Sequence, residues 1–256
     1  MTTIPTGRFV WFEYVSNDPN KAQGFFGELF GWKTKAAPMP QGDYTMIALG
    51  DHEIGGYMKP PAGAPQHAHW LSHLQVANAK ETANQVKSLG GTIAKPPFKL
   101  GDHGTMAIVS DPLGGAFALW QPAKPEEAGG GYKGTDGSWI WNELYTLDPD
   151  RSVAFYKAIG GFEVETMKTD SGPGPSRYEI LKSDGQGRGG IMKMPGLPQM
   201  WMPYVKVANT DATVEKAKQL GATCKKPAET IPNVGRLAVL SDPQGAMLGI
   251  LQPSPM

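Results

Sequence analysis

Residues 11–19, WFEYVSNDP, return as a near copy at residues 141–149, WNELYTLDP, and this pair decides the fold. Glu13 and Glu143 set the offset between the copies at 130 residues, the difference between 143 and 13. Each copy predicts a short strand followed by a helix, because aromatic and β-branched residues favour strands and Asp-Pro is typical of a helix N-terminus. The tryptophan and the glutamate, two residues apart, lie on the same face of that strand.

The first strand, residues 8–15, opens a unit with a clear order of elements. Gly31 predicts the end of the first helix, and two strands at 44–49 and 54–58 follow it before a proline-rich loop at 60–65. This order indicates a βαβββ-like unit. The helix itself is predicted from apolar residues at helical spacing, which are Ala22, Phe25, Phe26, Leu29 and Phe30.

A second unit follows on the same plan. Residues 70–76 predict a strand, 80–89 a helix ended by glycine, and 92–94 a short strand before two prolines. The segments 105–109 and 116–121 then predict a hairpin around a Ser-Asp-Pro turn. His52 and His103 fall in predicted turns, where solvent contact is expected.

The second half of the chain repeats the first almost to its end. Ser-Asp-Pro at 241–243 corresponds to 110–112, and Gly-Gly at 189–190 corresponds to 55–56. Matches that keep their order and spacing over this length indicate a tandem duplication. The sequence therefore predicts an α+β protein of four βαβββ modules in two similar domains, residues 8–122 and 138–253. A glycine-rich linker is predicted at 123–137, where no packing is evident.

The composition restricts the partners and the compartment that we expect for this protein. The chain has 256 residues, and Lys plus Arg and Asp plus Glu both number 24, so no net charge favours a nucleic acid or an acidic membrane surface as partner. The single cysteine, Cys224, cannot form an intramolecular disulfide. No stretch has the length of a membrane span and no signal peptide is evident, so we expect a cytoplasmic protein.

The ordered set of motifs, in duplicate, resembles the vicinal oxygen chelate superfamily. The motifs are four βαβββ units, helix starts at Asp-Pro, Trp-x-Glu, Gly-Gly-x-Met, and Ser-Asp-Pro-x-Gly before a last strand. Members of that superfamily include glyoxalase I, bleomycin-resistance proteins and extradiol dioxygenases. The resemblance is closest to tandem glyoxalase/bleomycin-resistance/dioxygenase-like proteins and covers residues 8–122 and 138–253. It implies paired modules whose antiparallel and mixed sheets curl into cups, with the helices outside.

The resemblance also implies where a divalent metal would be held. In the family the ligands are His, Gln or Glu, seven residues before the helix-starting Asp and seven after the Asp of the Ser-Asp-Pro turn. None of the residues at the corresponding positions can ligate a metal through its side chain, and we expect them to contact an apolar ligand instead. These positions are Trp11, Trp141, Leu71, Met202, Ala118 and Gly249.

Candidate catalytic residues lie two positions beyond the first-strand set, on the same inward face. By register Glu13 and His73 are predicted to converge in the first cup, and Glu143 and Tyr204 in the second. A carboxylate near an imidazole or a phenol can abstract or relay a proton. The alternative is that each glutamate anchors backbone or a loop inside the fold, since a buried carboxylate needs a partner in either case.

The histidines leave a second possibility open. All five lie in the first half. His67, His69 and His73 occupy alternate positions of an extended segment and could together coordinate a metal ion. Surface loop histidines are the other interpretation, because no acidic partner has a spacing that completes the cluster. We therefore expect no cofactor, while a divalent metal at a non-standard site stays possible.

Three functional hypotheses follow, of which the third is an interaction protein that has the duplicated fold and binds no small molecule. The first is a binder of a small apolar or aromatic molecule in its cups, without the family's usual metal site and without a nucleic-acid or membrane partner. The alternative is an enzyme, a glyoxalase-like lyase or a dioxygenase-like protein, that uses Glu13 with His73 or Glu143 with Tyr204. Because fused domains can mimic a family dimer within one chain, we expect a monomer, with a dimer as the other possibility.

Overall fold

The computed structural model describes residues 4–39, 42–125, 134–168 and 176–255. Residues 126–133, most of the predicted linker, lie outside the described residues. The described end of that linker is bonded: Gly137 N donates to Lys206 O at 2.8 Å, and Trp32 Nε1 donates to Gly137 O at 2.7 Å. Gly137 therefore joins the described end of this segment to a strand and to a buried indole, and the linker assignment itself stays a prediction.

The order βαβββ occurs four times. The first module contains β1 (Arg8–Val15), α1 (Pro19–Phe30), β2 (Lys33–Met39), β3 (Gly42–Leu49) and β4 (His52–Met58). The second contains β5 (His69–Gln75), α2 (Ala79–Ser88), β6 (Thr92–Leu100), β7 (Gly104–Ser110) and β8 (Ala116–Pro122). The third contains β9 (Trp139–Thr146), α3 (Pro149–Gly160), β10 (Glu163–Lys168), β11 (Arg177–Ser183) and β12 (Gln186–Lys193). The fourth contains β13 (Met200–Lys206), α4 (Thr210–Gln219), β14 (Thr223–Ile231), β15 (Gly235–Ser241) and β16 (Met247–Pro253).

The strands form two eight-stranded mixed sheets, with orders β2-β3-β4-β1-β5-β8-β7-β6 and β10-β11-β12-β9-β13-β16-β15-β14. Strand β1 pairs with β4 in parallel, whereas β3 and β4 are antiparallel. The two orders are identical when the second is shifted by eight strands. The predicted α+β class and its fourfold module are confirmed.

The helix starts follow the repeated Asp-Pro. The side chain of Asp18 accepts a hydrogen bond from Lys21 N at 3.2 Å, and Asp148 accepts one from Arg151 N at 3.1 Å. Gly31 and Gly161 then end α1 and α3 in the left-handed region, at φ +75° and +66°, where a Cβ would be strained. The predicted boundaries of α1 are confirmed.

The outer strands differ from the prediction. Strands β2 and β10 had no sequence signal, and β6 continues through Pro96 and Pro97 to Leu100, where only residues 92–94 were expected. All three lie at or beside sheet edges, where a missing N–H can face away from the neighbouring strand. The register of β6 against β7 shifts at two places around these prolines. His52 begins β4 instead of lying in the turn, and its side chain is exposed.

By compactness the chain divides into two units that each draw on both halves. The first unit contains Met1–Trp11, Leu71–Gly130 and Asn142–Trp201. The second unit contains Phe12–Trp70, Gly131–Trp141 and Met202–Met256. Domain boundaries at 8–122 and 138–253 stay a prediction.

Each unit has an aromatic core. In the first unit, the Tyr156 ring lies 5.5 Å from that of Phe117 and 5.1 Å from that of Trp201, centroid to centroid. In the second unit, the Tyr14 ring lies 5.5 Å from that of Phe26 and 5.1 Å from that of Trp70. No helix within the described ranges is long and apolar enough to cross a bilayer.

Candidate functional site

Glu143 is the buried carboxylate of β9, with 8% of its surface exposed. It lies opposite Gly190 on the parallel neighbour β12. Tyr178, from β11 on the far side of β12, donates its hydroxyl to Glu143 Oε1 at 2.7 Å. The tyrosine therefore reaches across one strand to bond a glutamate on the next.

The glycine makes this crossing possible. A Cβ built on Gly190 would lie 1.9 Å from the Tyr178 hydroxyl oxygen, well inside contact distance. Any side chain at this position would displace the tyrosine from its path. The close approach of the tyrosine side chain therefore requires glycine at the second position of the repeated Gly-Gly pair.

The first half repeats the glutamate, the glycine and the tyrosine of this arrangement. Glu13 on β1 is 4% exposed and lies opposite Gly56 on β4. A Cβ on Gly56 would lie 1.8 Å from the hydroxyl oxygen of Tyr44 on β3. We call these two sets, Glu143–Gly190–Tyr178 and Glu13–Gly56–Tyr44, the glutamate–tyrosine sites.

Sequence reasoning missed both tyrosines. The available signal was a tyrosine early in the strand before each Gly-Gly pair, at Tyr44 and Tyr178. Different loop lengths place these two residues 134 positions apart, the difference between 178 and 44, whereas the glutamates are 130 apart. A search at constant offset does not align them.

Tyr204 and His73 occupy equivalent positions on β13 and β5. Tyr204 is 3% exposed and lies opposite Gly249, where a Cβ would be 2.3 Å from ring atoms of the tyrosine. His73 is 5% exposed and lies opposite Ala118. The Tyr204 ring therefore covers the backbone at Gly249, one of the positions where the resemblance implies a metal ligand.

The six implied ligand positions do not fit a metal. Trp11 and Trp141 are half-buried, whereas Leu71, Met202, Ala118 and Gly249 are buried. None offers a nitrogen or oxygen ligand from its side chain. Within the described ranges, no group of three or more His, Cys, Asp or Glu side chains is placed to hold a metal ion.

The predicted catalytic pairs stay predictions. Strands β1 and β5, which carry Glu13 and His73, are neighbours in one sheet, and so are β9 and β13, which carry Glu143 and Tyr204. Each pair, however, has one member in each compact unit. What is observed within a unit is the contact of Glu143 with Tyr178.

The histidine segment has its own contacts. His69 Nδ1 lies 2.9 Å from His67 O, and the two rings are 5.2 Å apart. Burial lowers the pKa of His69, which favours the neutral imidazole. His67 itself is exposed, as expected for a loop residue.

The Ser-Asp-Pro turns hold a second pair of buried carboxylates. Asp242 Oδ1 accepts from the backbone N–H groups of Gln244 and Ala246, and its Oδ2 accepts from Tyr14 Oη at 2.5 Å. Burial raises the pKa of Asp242, against the opposing effect of these donors. The repeated motif therefore builds a turn and anchors a core tyrosine.

The matching turn uses a tyrosine from a different element. Asp111 Oδ2 accepts from Tyr156 Oη at 2.9 Å and from Gln199 Nε2 at 2.7 Å. Trp201 Nε1 donates to the same Tyr156 hydroxyl at 2.8 Å. Tyr156 lies on α3, whereas Tyr14 lies on β1. At the offset of 130, the equivalent of Tyr14 is Leu144 and that of Tyr156 is Phe26.

The comparisons with known proteins agree with this fold and these motifs. The family profile described as "Glyoxalase/Bleomycin resistance protein/Dioxygenase superfamily" matches residues 141–250, and "Bleomycin resistance protein-like N-terminal" matches residues 8–50. "Putative glyoxylase CFP32" of Mycobacterium tuberculosis is 36% identical over 251 residues, which are 96% of this chain and 94% of that protein. The chain belongs to the glyoxalase/bleomycin resistance/dioxygenase superfamily.

A further relative and two solved structures share less sequence identity with this chain. "Anthracycline biosynthesis protein DnrV" of Streptomyces peucetius is 28% identical over 267 residues, which cover 98% of this chain and 95% of that protein. The Mn(II)-bound glyoxalase of Novosphingobium aromaticivorans has a TM-score of 0.65 at 14% identity, covering 97% of this chain and 82% of that one. The 2,3-dioxygenase LapB of Pseudomonas sp. KL28 has a TM-score of 0.67 at 12% identity, covering 100% of this chain and 94% of that one. At these identities the two structures share the fold.

Proposed function

We propose that this protein binds a small apolar or aromatic molecule against the strand faces that carry Trp-x-Glu, without the family's usual metal. The observation that carries the proposal is which residues occupy the six implied ligand positions. Two hold half-buried indoles, and a third, Gly249, lies under the ring of Tyr204. Indole and phenol rings bind flat apolar molecules through contact area and ring stacking.

Two further features support an aromatic ligand. Trp11 and Trp141 are each half-buried, whereas the glutamates two positions further along the same strand faces are buried. DnrV is named for anthracycline biosynthesis, and anthracyclines are fused-ring aromatic compounds. A flat ligand of that kind suits tryptophan at both strand faces.

The test uses metal-stripped protein. Thermal unfolding is measured with a panel of naphthalene and anthraquinone derivatives, with and without EDTA, and tryptophan fluorescence is followed in parallel. We expect stabilisation and quenching that EDTA does not change. A panel in which no compound stabilises the protein, or in which stabilisation needs added divalent metal, overturns the proposal.

Substitution of a tryptophan sharpens this test. Trp141→Ala is expected to weaken binding about tenfold, the equivalent of one lost aromatic contact. Lys182→Ala serves as control, because among the described residues its side chain forms an ion pair with Glu165, at 2.9 Å. Equal affinities in the two variants contradict a ligand at Trp141.

The enzyme alternative is favoured by one observation, the likeness to a protein named as a glyoxylase at 36% identity. In that case Glu13 with His73, or Glu143 with Tyr204, supplies the proton transfer. Glu13→Gln and Glu143→Gln are then expected to abolish turnover of a dicarbonyl adduct or a catechol while leaving the melting temperature unchanged. Turnover that survives both substitutions rules these glutamates out.

The proposal also keeps a monomer as the working state and the cytoplasm as the compartment. Near copies within one chain supply the two halves that a dimer of shorter chains would need. Light scattering on the full chain tests the first point, and a mass twice that of the 27.5 kDa chain contradicts it.

A further inference from the structure

In the glutamate–tyrosine site of the second half, the tyrosine is the hydrogen-bond donor and the glutamate is the acceptor. A tyrosine hydroxyl has one proton, and Tyr178 directs it to Glu143 Oε1. The Glu143 oxygen that receives this hydrogen bond is the acceptor. A carboxylate can accept hydrogen bonds from several donors. An ionised Glu143 can only accept hydrogen bonds, so a ligand group that bonds to it must bring a proton of its own.

Both tyrosines lie over a glycine of the neighbouring strand. Each comes from the strand beyond the glycine, and each passes over a backbone position that no side chain could share. The surroundings differ between the copies, since the residue after Tyr178 is the buried Glu179, whereas the residue after Tyr44 is Thr45. The glycine, the tyrosine and the glutamate are retained in both copies despite that difference.

We infer that Tyr178 and Tyr44 are positioning residues that orient Glu143 and Glu13 as hydrogen-bond acceptors and so select aromatic ligands carrying an O–H or N–H donor. This inference rests on the proposed function, because it names the class of ligand for the same strand faces. An aromatic ligand with only acceptor groups desolvates the carboxylate without bonding it, which costs affinity.

The experiment compares matched ligands at pH 7. 2-Naphthol, 2-methoxynaphthalene and 2-methylnaphthalene share a ring system, and only the first donates a hydrogen bond. Affinities for metal-stripped full-length protein are measured by fluorescence titration. We expect 2-naphthol to bind at least tenfold more tightly than the other two.

The variants test the tyrosines themselves. In the double variant Tyr44→Phe, Tyr178→Phe the preference for 2-naphthol is expected to fall below threefold, while the affinity for 2-methylnaphthalene stays unchanged. A merely structural role for the tyrosines would weaken all three ligands together. Far-UV circular dichroism and the melting temperature check that the variant is folded.

The glycines provide an independent route. Gly190→Ala with Gly56→Ala is expected to displace both rings and to remove the same preference. Gly24→Ala is the control, because a Cβ there meets nothing within 4 Å. If the glycine variant does not fold, the tyrosine variant decides the question.

The outcomes separate the inference from the proposed function. If all three ligands bind equally well to the wild type, or if the preference survives in the tyrosine variant, the inference is overturned and the proposed function stands. If none of these ligands or of the wider panel binds, the proposed function fails with it. A preference that is present in the wild type and lost in the tyrosine variant supports both.

Discussion

At the scale of single residues, hydroxyl groups in the two cores differ in whether they are bonded. Tyr156 links Trp201 to Asp111, and Tyr14 bonds Asp242. Tyr57 is 2% exposed, and its hydroxyl has no hydrogen-bond partner among the described residues. Because a bonded buried hydroxyl stabilises and an unbonded one costs free energy, the same Tyr→Phe change has opposite consequences at these positions.

We therefore predict that Tyr156→Phe lowers the free energy of unfolding by about 1–3 kcal/mol, since it leaves a buried indole N–H without its acceptor. Tyr57→Phe is the matched control and is expected to be neutral or stabilising. Urea unfolding of the two variants and the wild type measures the difference. Equal destabilisation by both would mean that the Tyr156 bonds contribute nothing net.

The buried tyrosines also predict an alkaline transition. Burial, followed by the nearby aspartate charge, raises the pKa of Tyr14, Tyr57 and Tyr156 above the ordinary value of 10.0. Above pH 10 the unfolded chain loses these protons while the folded chain keeps them. The stability from these groups is thus complete below pH 10 and is lost as pH rises further.

Absorbance at 295 nm measures this directly. At pH 11 the folded protein, which has eight tyrosines, is expected to show at most five tyrosinates, because three stay protonated. The same titration in guanidinium chloride should show all eight. Ionisation of all eight with native circular dichroism intact would contradict the placement of these three hydroxyls.

At the scale of elements, the sequence predicted what has a local cause. Asp18 and Gly31 bound α1 as expected, because capping and a left-handed glycine are properties of a few neighbouring residues. Strands β2 and β10 were missed because an edge strand is defined by the neighbour it pairs with. The prolines of β6 argued against a strand in the sequence and are accommodated at a sheet edge.

The caps give a prediction at this scale. Asp148→Ala removes the bond from Arg151 N and is expected to lower the free energy of unfolding by about 1 kcal/mol, the usual cost of losing an N-cap. Asp51→Ala, at an exposed turn, is the control and is expected to change stability by less than about 0.5 kcal/mol. Denaturant unfolding measures both, and an equal effect would show that the cap does not stabilise α3.

Of the candidate site, only the inward positions of the two glutamates could be deduced from local pattern, and their roles stay predictions. Glu13 and Glu143 follow from strand alternation, and their burial agrees with inward positions. Tyr178 could not be deduced that way, since it reaches Glu143 from two strands away, and Tyr44 likewise lies over a glycine of the neighbouring strand. Their role depends on the strand order, which a repeat of near copies does not fix.

At the scale of the whole molecule, each compact unit needs both halves of the chain. The first unit contains Asp111 from one half and Tyr156 from the other, and the second contains Tyr14 and Asp242. The sequence could not indicate this, because four similar modules allow several pairings. It did predict the number of modules and their order.

We predict that fragments 1–125 and 134–256, expressed separately, do not fold as monomers, because Tyr14 then lacks Asp242 and Tyr156 lacks Asp111. Mixing them is expected to restore cooperative unfolding at a 1:1 ratio. Circular dichroism, sedimentation and thermal unfolding measure the result. A monomeric fragment that unfolds cooperatively by itself would contradict the prediction.

The tyrosines that bond the two turn aspartates make single elements of the two halves non-interchangeable. One turn is bonded from a strand by Tyr14 and the other from a helix by Tyr156. Because the equivalents of these residues are Leu144 and Phe26, a chain in which β1 or β9 is replaced by its copy would carry two tyrosines or none at this pair of positions in the altered half.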